Sequence, residues 1–333
     1  MAIVLVFVLL LFSSLGWSDE IASDSYASDS FSDVIIDPCC DEVHPSTWVR
    51  AEFLYWNPNI RSVDYASTEN GLSLAIGAGR THRVGFDQAA GFRVGVGHMT
   101  KTGWALGFDY TDFSTSGEGR AERPPGVGQL FSTLSHPGGP EEADVASGIT
   151  TLDFATYDFT AATRVIDRRF RSLDVFAGLR WATIEHELNA NFDGRDFVNG
   201  EINDLIDLNA FGMMFGGEGH WRFAEGWFLF GRTSVAALYG DVRNRRIETN
   251  LNGLEQLVDF EDKYVTPIFN VETRLGLAKT LGRWEIRFGY DFNIWTGIGD
   301  RIRFTDDIEQ AAFAPADGDL LLEGLFFQFS ANW

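Results

Sequence analysis

Apolar residues recur at every second position, in segment after segment, from Thr47 to the end of the chain. In the segment near residues 282–296, one set of alternate residues is aromatic or aliphatic: Trp284, Ile286, Phe288, Tyr290 and Phe292. The residues between them are charged, polar or small: Glu285, Arg287, Gly289, Asp291 and Asn293. Side chains of a β-strand point alternately to opposite faces, so this pattern indicates strands with one apolar and one polar face. The chain is therefore predicted to be all-β.

About ten segments carry this pattern and define the predicted strands. Their approximate bounds are 47–57, 86–99, 103–113, 150–165, 172–190, 204–223, 226–240, 266–279, 282–296 and 319–333. Segments of about 11 to 15 residues exceed the five or six usual in soluble sheets and match strands tilted across a bilayer. An even strand number is usual in bacterial single-chain barrels. Ten strands are expected, with twelve as the alternative if residues 58–85 contribute further pairing.

The connections between these segments alternate in length. Short connections are predicted at 100–102, 166–171, 224–225 and 280–281, and long ones at 58–85, 114–149, 191–203, 241–265 and 297–318. Barrels of bacterial outer membranes have short periplasmic turns and longer outer loops. The pattern therefore predicts an up-and-down antiparallel transmembrane β-barrel over residues 47–333. The alternative is a soluble secreted β-protein, with its apolar faces packed inward and exposed aromatics binding carbohydrate.

The N-terminal region is predicted to be an export signal followed by a tail. The run from Ile3 to Phe12 is apolar, and the small residues Gly16 and Ser18 suit cleavage, which predicts a signal peptide over 1–18 although no Lys or Arg precedes the run. Residues 19–46 are rich in Ser and Asp, which predicts a disordered acidic tail. Adjacent Cys39 and Cys40 fit neither a zinc site nor a disulfide framework, leaving a vicinal or intermolecular disulfide or no role.

The last strand ends on an aromatic residue, which is typical of the terminal signal read by the outer-membrane assembly machinery. The predicted signal comprises Leu325, Phe327, Phe329 and Trp333. An exposed apolar edge strand would promote aggregation, and pairing with the first strand would remove that edge. The sequence thus predicts a closed ring, with the last strand beside the strand from Val49 to Tyr55.

Charged residues on the polar faces are predicted to line the barrel lumen. The candidates are Arg50, Glu52, Arg93, Asp109, Asp174, Arg180, Glu218, Arg222, Glu272, Arg274, Glu285, Arg287, Asp291 and Glu323. A charge facing lipid costs about 2 to 4 kcal/mol at the bilayer midplane, which favours placing these residues inside. With both signs present, either a salt-bridged plug or a narrow channel is consistent with the sequence.

Composition and motifs favour neither nucleic-acid binding nor enzymatic chemistry. The net charge is −22, whereas nucleic-acid binding relies on Lys and Arg neutralising phosphates. No nucleophile is placed by motif beside His98, His186 or His220, so no catalytic site is predicted. The acidic pairs 141–142 and 306–307 lack the spacing of a calcium loop, so no metal or other cofactor is expected.

Several short motifs together resemble a known family. They are Trp48 to Trp56 (WVRAEFLYW), Gly91 to Gly97 (GFRVGVG), Gly103 to Phe113 (GWALGFDYTDF), Leu152 to Phe154, Tyr157 to Asp158, Gly178 to Arg180, Arg283 to Tyr290 (RWEIRFGY) and Trp295. Across most of residues 47–333 the chain resembles the Legionella major outer membrane protein family, pore-forming proteins with relatives in planctomycetes. The resemblance implies an outer-membrane pore or structural barrel without enzymatic chemistry. The acidic tail and paired cysteines depart from it.

Two functions follow as predictions for a protein of the bacterial outer membrane, exported through the periplasm. The first is porin-like passive diffusion of solutes or ions through a polar lumen, with outer loops 58–85 and 114–149 governing access. The alternative is a closed barrel anchor that displays long acidic loops for adhesion or surface packing. The expected partners are outer-membrane lipid and the barrel assembly machinery, and the sequence leaves the oligomeric state open.

Overall fold

A computed structural model describes residues 46–60, 63–69, 79–299, 302–304, 313–314 and 318–333. The predicted signal peptide, and the predicted tail up to residue 45 with its two cysteines, lie outside the described residues. Among the residues described, no helix is long and apolar enough to cross a bilayer.

The described residues form strands that follow one another along the chain. They are β1 (Ser46–Ile60), β2 (Asp64–Glu69), β3 (Gly79–Arg83), β4 (Ala89–Met99), β5 (Trp104–Glu122), β6 (Gln129–Ser132), β7 (Val145–Arg168), β8 (Arg171–Gly194), β9 (Phe197–Ala224), β10 (Trp227–Asn250), β11 (Glu255–Leu281), β12 (Trp284–Thr296), β13 (Arg303–Phe304), β14 (Phe313–Ala314) and β15 (Asp319–Asn332).

Ten of these strands form a closed antiparallel barrel in the order β1-β15-β12-β11-β10-β9-β8-β7-β5-β4. Each predicted segment lies in one of them, which confirms the all-β barrel and the count of ten. The ring closes as predicted, with Phe53 opposite Phe327 on β15 and opposite Phe92 on β4. The twelve-strand alternative was wrong, because β2 pairs with β3 and with β6 in a three-stranded sheet that is separate from the ring of ten.

An aromatic row runs around the outside of five neighbouring strands. It consists of directly paired residues, Tyr110, Tyr157, Trp181, Phe211 and Tyr239. The ring centroids of Tyr110 and Tyr157 are 4.9 Å apart, and those of Tyr157 and Trp181 are 5.5 Å apart. Amphipathic rings favour the boundary between lipid and water. Because the strands are tilted, a row of directly paired residues descends around the ring, and this one returns to β10 at Trp227, beside the turn at 225–226. We therefore place one membrane interface at its upper members, Trp181, Phe211 and Tyr239.

Between the aromatic row and the short turns, the outer face of the ring is apolar. Exposed examples are Phe159, Leu179, Met213, Phe215, Val235, Leu275 and Phe288. The short turns at 100–103, 169–170, 225–226 and 282–283 lie at one end, where the Trp333 amide also donates to the Thr47 carbonyl at 3.0 Å. We call this half of the ring the membrane part. Short turns are periplasmic in bacterial barrels, so the other end of the ring faces the cell exterior.

The strands continue well beyond the aromatic row into what we call the outer extension. A membrane-crossing strand needs about 9 to 11 residues, whereas β9 has 28. The predicted long loops at 191–203 and 241–265 were therefore wrong, since both regions are strand up to tight turns. Positive φ angles at Arg195 and Leu251 (59° and 54°) mark those two turns.

The polarity of the two faces is reversed in the outer extension. One row of its outward residues is charged across neighbouring strands: Asp153, Glu185, Asp207, Arg243 and Lys263 are directly paired. Its inward residues include buried Leu152, Ile184, Leu188, Ile206, Leu208 and Val242. The extension is thus built like a water-soluble barrel, with its apolar core inside. This reversal explains the two wrong loops, because the apolar residues change face while the strands continue.

Candidate functional site: the interior of the barrel

Glu272 on β11 forms the centre of a buried charged layer within the membrane part. Its two carboxylate oxygens accept hydrogen bonds from Arg93 on β4 at 2.9 Å and from Arg180 on β8 at 3.0 Å. These three strands are not neighbours in the ring, so both bonds cross the lumen. Arg180 also donates to Asp158 on β7, at 2.7 and 2.6 Å. A bidentate arginine pair of this kind fixes orientation as well as charge.

A second part of the same layer surrounds Glu52 on β1. Glu52 accepts hydrogen bonds from Arg93 at 3.1 Å and from Arg274. The carboxylate of Asp291 lies 3.8 Å from Arg93 and 3.7 Å from Arg274, and no hydrogen bond from the described residues reaches either of its oxygens. Arg50 and Asp109 form a further pair across β1 and β5. The charges compensate one another, which allows so many ionised groups to be buried.

Glu218 lies at the centre of a charged cluster near the periplasmic end. Its carboxylate lies 2.6 Å from Arg287, 3.2 Å from Arg232 and 2.9 Å from His220. The Arg232 guanidinium lies 4.1 Å from the centroid of the Phe176 ring, and that of Arg287 lies 4.8 Å from Phe230. Aromatic faces and arginines therefore fill this level together.

Four aromatic residues fill the lumen on the other side of the charged layer. Trp56 lies 5.4 Å from Phe113 and 6.1 Å from Phe154, and Phe154 lies 5.6 Å from Trp295. They come from β1, β5, β7 and β12. Both tryptophans are 0% exposed. The contact between Phe154 and Trp295 joins β7 to β12 across the lumen at this height.

The connections at the outer end fold into the mouth of the barrel. Tyr65 and Val84, from the connection between β1 and β4, pack against inward-facing Gly148 of β7. A Cβ placed on Gly148 would lie 3.2 Å from Tyr65 and 2.7 Å from Val84. In the second connection, the Leu134 carbonyl accepts a hydrogen bond at 3.1 Å from Arg246, which also binds Asp204. Both connections thus contact the inner side of the wall.

His136 of the second connection is held by a buried carboxylate of the wall. Its backbone amide and its Nδ1 atom lie 3.1 and 3.0 Å from Oε2 of Glu248 on β10. Burial raises the pKa of Glu248, while the bonds to His136 and the nearby Arg246 charge act in the opposite direction. Glu248 lies in the outer extension, so this contact ties a mouth connection to the wall outside the membrane.

The structure places most predicted lumen residues on the inward face of the ring. Those that enter the buried or half-buried network are Arg50, Glu52, Arg93, Asp109, Arg180, Glu218, Glu272, Arg274, Glu285, Arg287 and Asp291. Two others lie on the inward side at the periplasmic rim. Asp174 pairs there with Arg164 at 2.7 Å, and Arg222 is exposed.

The prediction that Glu323 lines the lumen was wrong. Glu323 lies opposite outward-facing Phe292 and two residues before outward-facing Leu325, so its side chain is on the outer face. Tyr290 on the neighbouring strand is its hydrogen-bond partner. The inward residues of β15 are instead Leu320, Leu322, Phe326 and Gln328, all buried.

Several interior residues were missed by the sequence analysis. They include Trp56, Asp158, Asp204, Arg232, Arg246, Asn270 and Trp295. A signal existed for Asp158, because it lies directly opposite Arg180 in the register of adjacent strands. The buried tryptophans gave no such signal, because an aromatic side chain suits the membrane boundary as well as a packed interior.

Residues of the predicted assembly signal lie on the outer face of β15 and at its end. Leu325, Phe327 and Phe329 are about half exposed, and Trp333 is 63% exposed. Among the histidines considered for catalysis, Nε2 of His186 lies 2.9 Å from the Thr150 hydroxyl and Nε2 of His220 lies 2.9 Å from Glu218. The assembly role stays a prediction.

Solved barrel structures show distant likeness to this chain. The outer membrane protease OmpT from Escherichia coli is 10% identical with a TM-score of 0.47, and the alignment covers 86% of this chain and 97% of OmpT. A major outer membrane protein from Thermus thermophilus is 10% identical with a TM-score of 0.31, over 87% and 99%. A Pseudomonas aeruginosa FadL homologue is 7% identical with a TM-score of 0.26, over 87% and 90%.

Sequence comparison gives a firmer result. Among curated proteins, none matches the chain. Residues 41–332 match the family described as Legionella pneumophila major outer membrane protein precursor, which confirms the resemblance carried by the strand motifs. Since this match spans nearly all of the barrel, the chain belongs to the Legionella major outer membrane protein family and is a β-barrel protein of the outer membrane.

Proposed function

We propose that this protein is a closed barrel, which anchors a rigid strand-built extension at the cell surface and does not conduct solutes. The single observation that carries the proposal is the side-chain filling of the lumen at successive heights. A ring of eight strands is already just wide enough for its side chains to fill, so ten strands with large interior residues leave little room. Of the two predicted functions, this geometry favours the anchor.

Exposure values support a filled lumen. Side chains lining a water channel retain accessible surface, whereas Glu52, Arg180, Arg274 and Asp291 are 0–4% exposed. The aromatic layer of Trp56 and Trp295 adds a second barrier. Because the ion pairs join strands across the ring, opening a path would require several charge-assisted bonds to break together.

A narrow gated channel is the second candidate, and buried polar atoms without hydrogen-bond partners among the described residues favour it. They include both carboxylate oxygens of Asp291 and the indole nitrogens of Trp56 and Trp295. Buried polar groups of this kind usually bind water, so isolated waters would fit between the charged and aromatic layers. In this case the connections at the mouth would have to move away before solute could pass.

Conductance of the refolded protein distinguishes the two candidates. The mature chain is inserted into planar bilayers, and ion currents are recorded with a general porin as positive control. The anchor proposal predicts no steps for the wild type, but leakage for the double variant Arg180→Ala/Trp295→Ala, which removes one large side chain from each layer. Discrete openings of the wild type would contradict the closed barrel and favour the gated channel.

We further propose that the assembly machinery recognises the end of β15. Deletion of Trp333 with Phe329→Ala removes its last outward aromatics, and the amount of heat-modifiable protein in the outer membrane should fall severalfold. Phe288→Ala, on the lipid face of β12, is the matched control. Equal loss in both variants would show a general stability effect instead of a signal.

A further inference from the structure

Three glycines leave a shallow groove on the lipid-facing surface near the periplasmic end. Gly219 on β9 lies opposite Gly231 on β10. Gly217 lies two residues before Gly219, on the same outward face of β9. A Cβ at Gly219 would meet nothing within 4 Å, and one at Gly217 would make only ordinary contacts at 3.4 and 3.9 Å. None of the three has a positive φ angle. Neither crowding nor backbone conformation therefore requires glycine at positions 217 and 219.

The groove has apolar walls and opens toward two arginines. Its sides are formed by outward residues of the adjacent strands: Leu173, Val175, Thr233 and Leu275. Trp221 lies at the periplasmic end of the groove, is 61% exposed and is directly opposite Arg171 on β8. Arg171 in turn lies opposite Arg168 on β7.

A β-bulge turns Arg168 toward the lipid side. The register between β7 and β8 shifts between Arg164 and Ile166, so Ile166 pairs with Leu173 and Arg168 pairs with Arg171. Both arginines thus end up on the outward face, in the last paired row of these strands. Phe170, in the turn between them, is 57% exposed and lies 5.2 Å from the guanidinium of Arg169.

The nearby carboxylates are already engaged. Asp167 and Asp174 lie 3.6 and 2.7 Å from Arg164. Within the described part of the chain, no ion pair involves Arg168, Arg169 or Arg171. Since the protein as a whole carries a net charge of −22, an uncompensated arginine cluster at the lipid boundary indicates an anionic partner.

We propose that this surface binds one anionic phospholipid of the inner leaflet. Its phosphate would be held by the guanidinium groups of Arg168 and Arg171, which suit phosphate oxygens by shape and charge. One acyl chain would lie along the glycine floor between β8 and β11, and Trp221 would pack at the glycerol level. The groove and the arginines lie on adjacent rows, so a single lipid contacts both.

Native mass spectrometry of the refolded full mature chain tests this proposal, with phosphatidylglycerol and phosphatidylcholine as probes. The wild type should retain one phosphatidylglycerol in preference to phosphatidylcholine. Arg168→Gln/Arg171→Gln should reduce that preference by about tenfold or more, because basic residues near the surface attract anionic lipid. Gly219→Leu should fill the groove and lose the retained lipid, while the temperature of unfolding in zwitterionic detergent stays unchanged.

Two matched controls make the result specific. Arg120→Gln/Arg245→Gln removes the same charge from the outer extension, and Gly85→Leu adds the same side chain at another glycine with open space around it. Both should retain the lipid as the wild type does. Equal loss in the arginine control, or unchanged retention in Gly219→Leu, overturns the proposal. If the arginine pair affects co-sedimentation with peptidoglycan but not lipid retention, the cluster binds that polymer instead.

Discussion

The membrane part and the outer extension use the same ring of strands with opposite polarity. In the membrane part, apolar side chains face outward and charges such as Arg180 and Glu272 are buried inside. In the extension, carboxylates such as Asp207 face outward, and Ile206 and Leu208 fill the core. The solvent on each side, not the strand itself, determines which face is apolar.

The change occurs within single strands and without a shift in register. On β9, Phe211 and Met213 face outward, whereas Leu208 and Ile206 face inward a few residues earlier. The pairing of β9 with β10 runs without interruption through this region. A continuous sheet therefore crosses from lipid into water at the aromatic row, and the sequence adapts by moving its apolar residues to the other face.

Removing one cation from the charged layer should have the largest effect on stability. Arg180→Gln leaves Asp158 and Glu272 buried without this partner, and the loss should be about 3 to 5 kcal/mol. In the extension, Leu208→Ala removes apolar packing and should cost about 2 to 5 kcal/mol. Urea unfolding in lipid vesicles measures both.

A double variant separates charge from packing in that experiment. Asp158→Asn should restore part of the stability lost in Arg180→Gln, since it removes one stranded charge, whereas it should not rescue Leu208→Ala. If Asp158→Asn leaves the cost of Arg180→Gln unchanged, the layer is not held by charge pairing as described.

Charges placed on the outer face should distinguish the two regions next most strongly. Phe288→Arg lies in the middle of the apolar face of β12 and should cost about 2 to 4 kcal/mol. Ile149→Arg, on the outer face of β7 in the extension, faces water and should change stability by no more than about 0.5 kcal/mol. Equal costs at both positions would contradict the assigned interface.

Loss of a hydrogen bond at the boundary should have a smaller effect. Nε1 of Trp181 donates to Asn209 at 2.6 Å, at the level where the outer face changes from apolar to polar. Trp181→Phe removes this bond and should cost about 0.5 to 1.5 kcal/mol. Trp104→Phe makes the same change of ring at an outward tryptophan whose indole makes no hydrogen bond to the described residues, and it serves as the control. The same cost there would show that the bond to Asn209 does not contribute.

The pH dependence of the mouth should be the smallest effect. Because burial raises the pKa of Glu248, the folded state binds its proton more tightly than the unfolded state. Its contribution is therefore greatest below the ordinary value of 4.5 and declines as the pH rises through the raised value. Relative to Glu248→Gln, the wild type should lose stability as the pH rises above the ordinary value of 4.5. An identical pH profile for both proteins would show that the pKa of Glu248 is the same in the folded and unfolded states.

The sequence was sufficient for the membrane part because period-two alternation, short turns and a closing last strand all indicated the same ring. It was insufficient where apolar residues do not occupy the outward face along the whole length of a strand. Residues 197–203 appeared to be a loop because their apolar members, such as Ile202, occupy the opposite face from Phe211. Glu323 was misassigned because its charge was taken to indicate the inward face, although it lies on the same outward face of β15 as Leu325. Contacts across the lumen, such as Arg93 with Glu272, depend on ring closure and are not visible in local sequence.

Accessibility along one strand tests the reversal of polarity most directly. Single cysteines are introduced on the outward face of β9 at Glu201, Leu205, Asp207, Phe211, Met213 and Phe215, in a chain lacking Cys39 and Cys40, and labelled with a water-soluble maleimide in vesicles. We predict rapid labelling at 201, 205 and 207, and protection at 213 and 215, with the change near 211. Protection that extends through position 205 would place the extension in lipid and contradict the account.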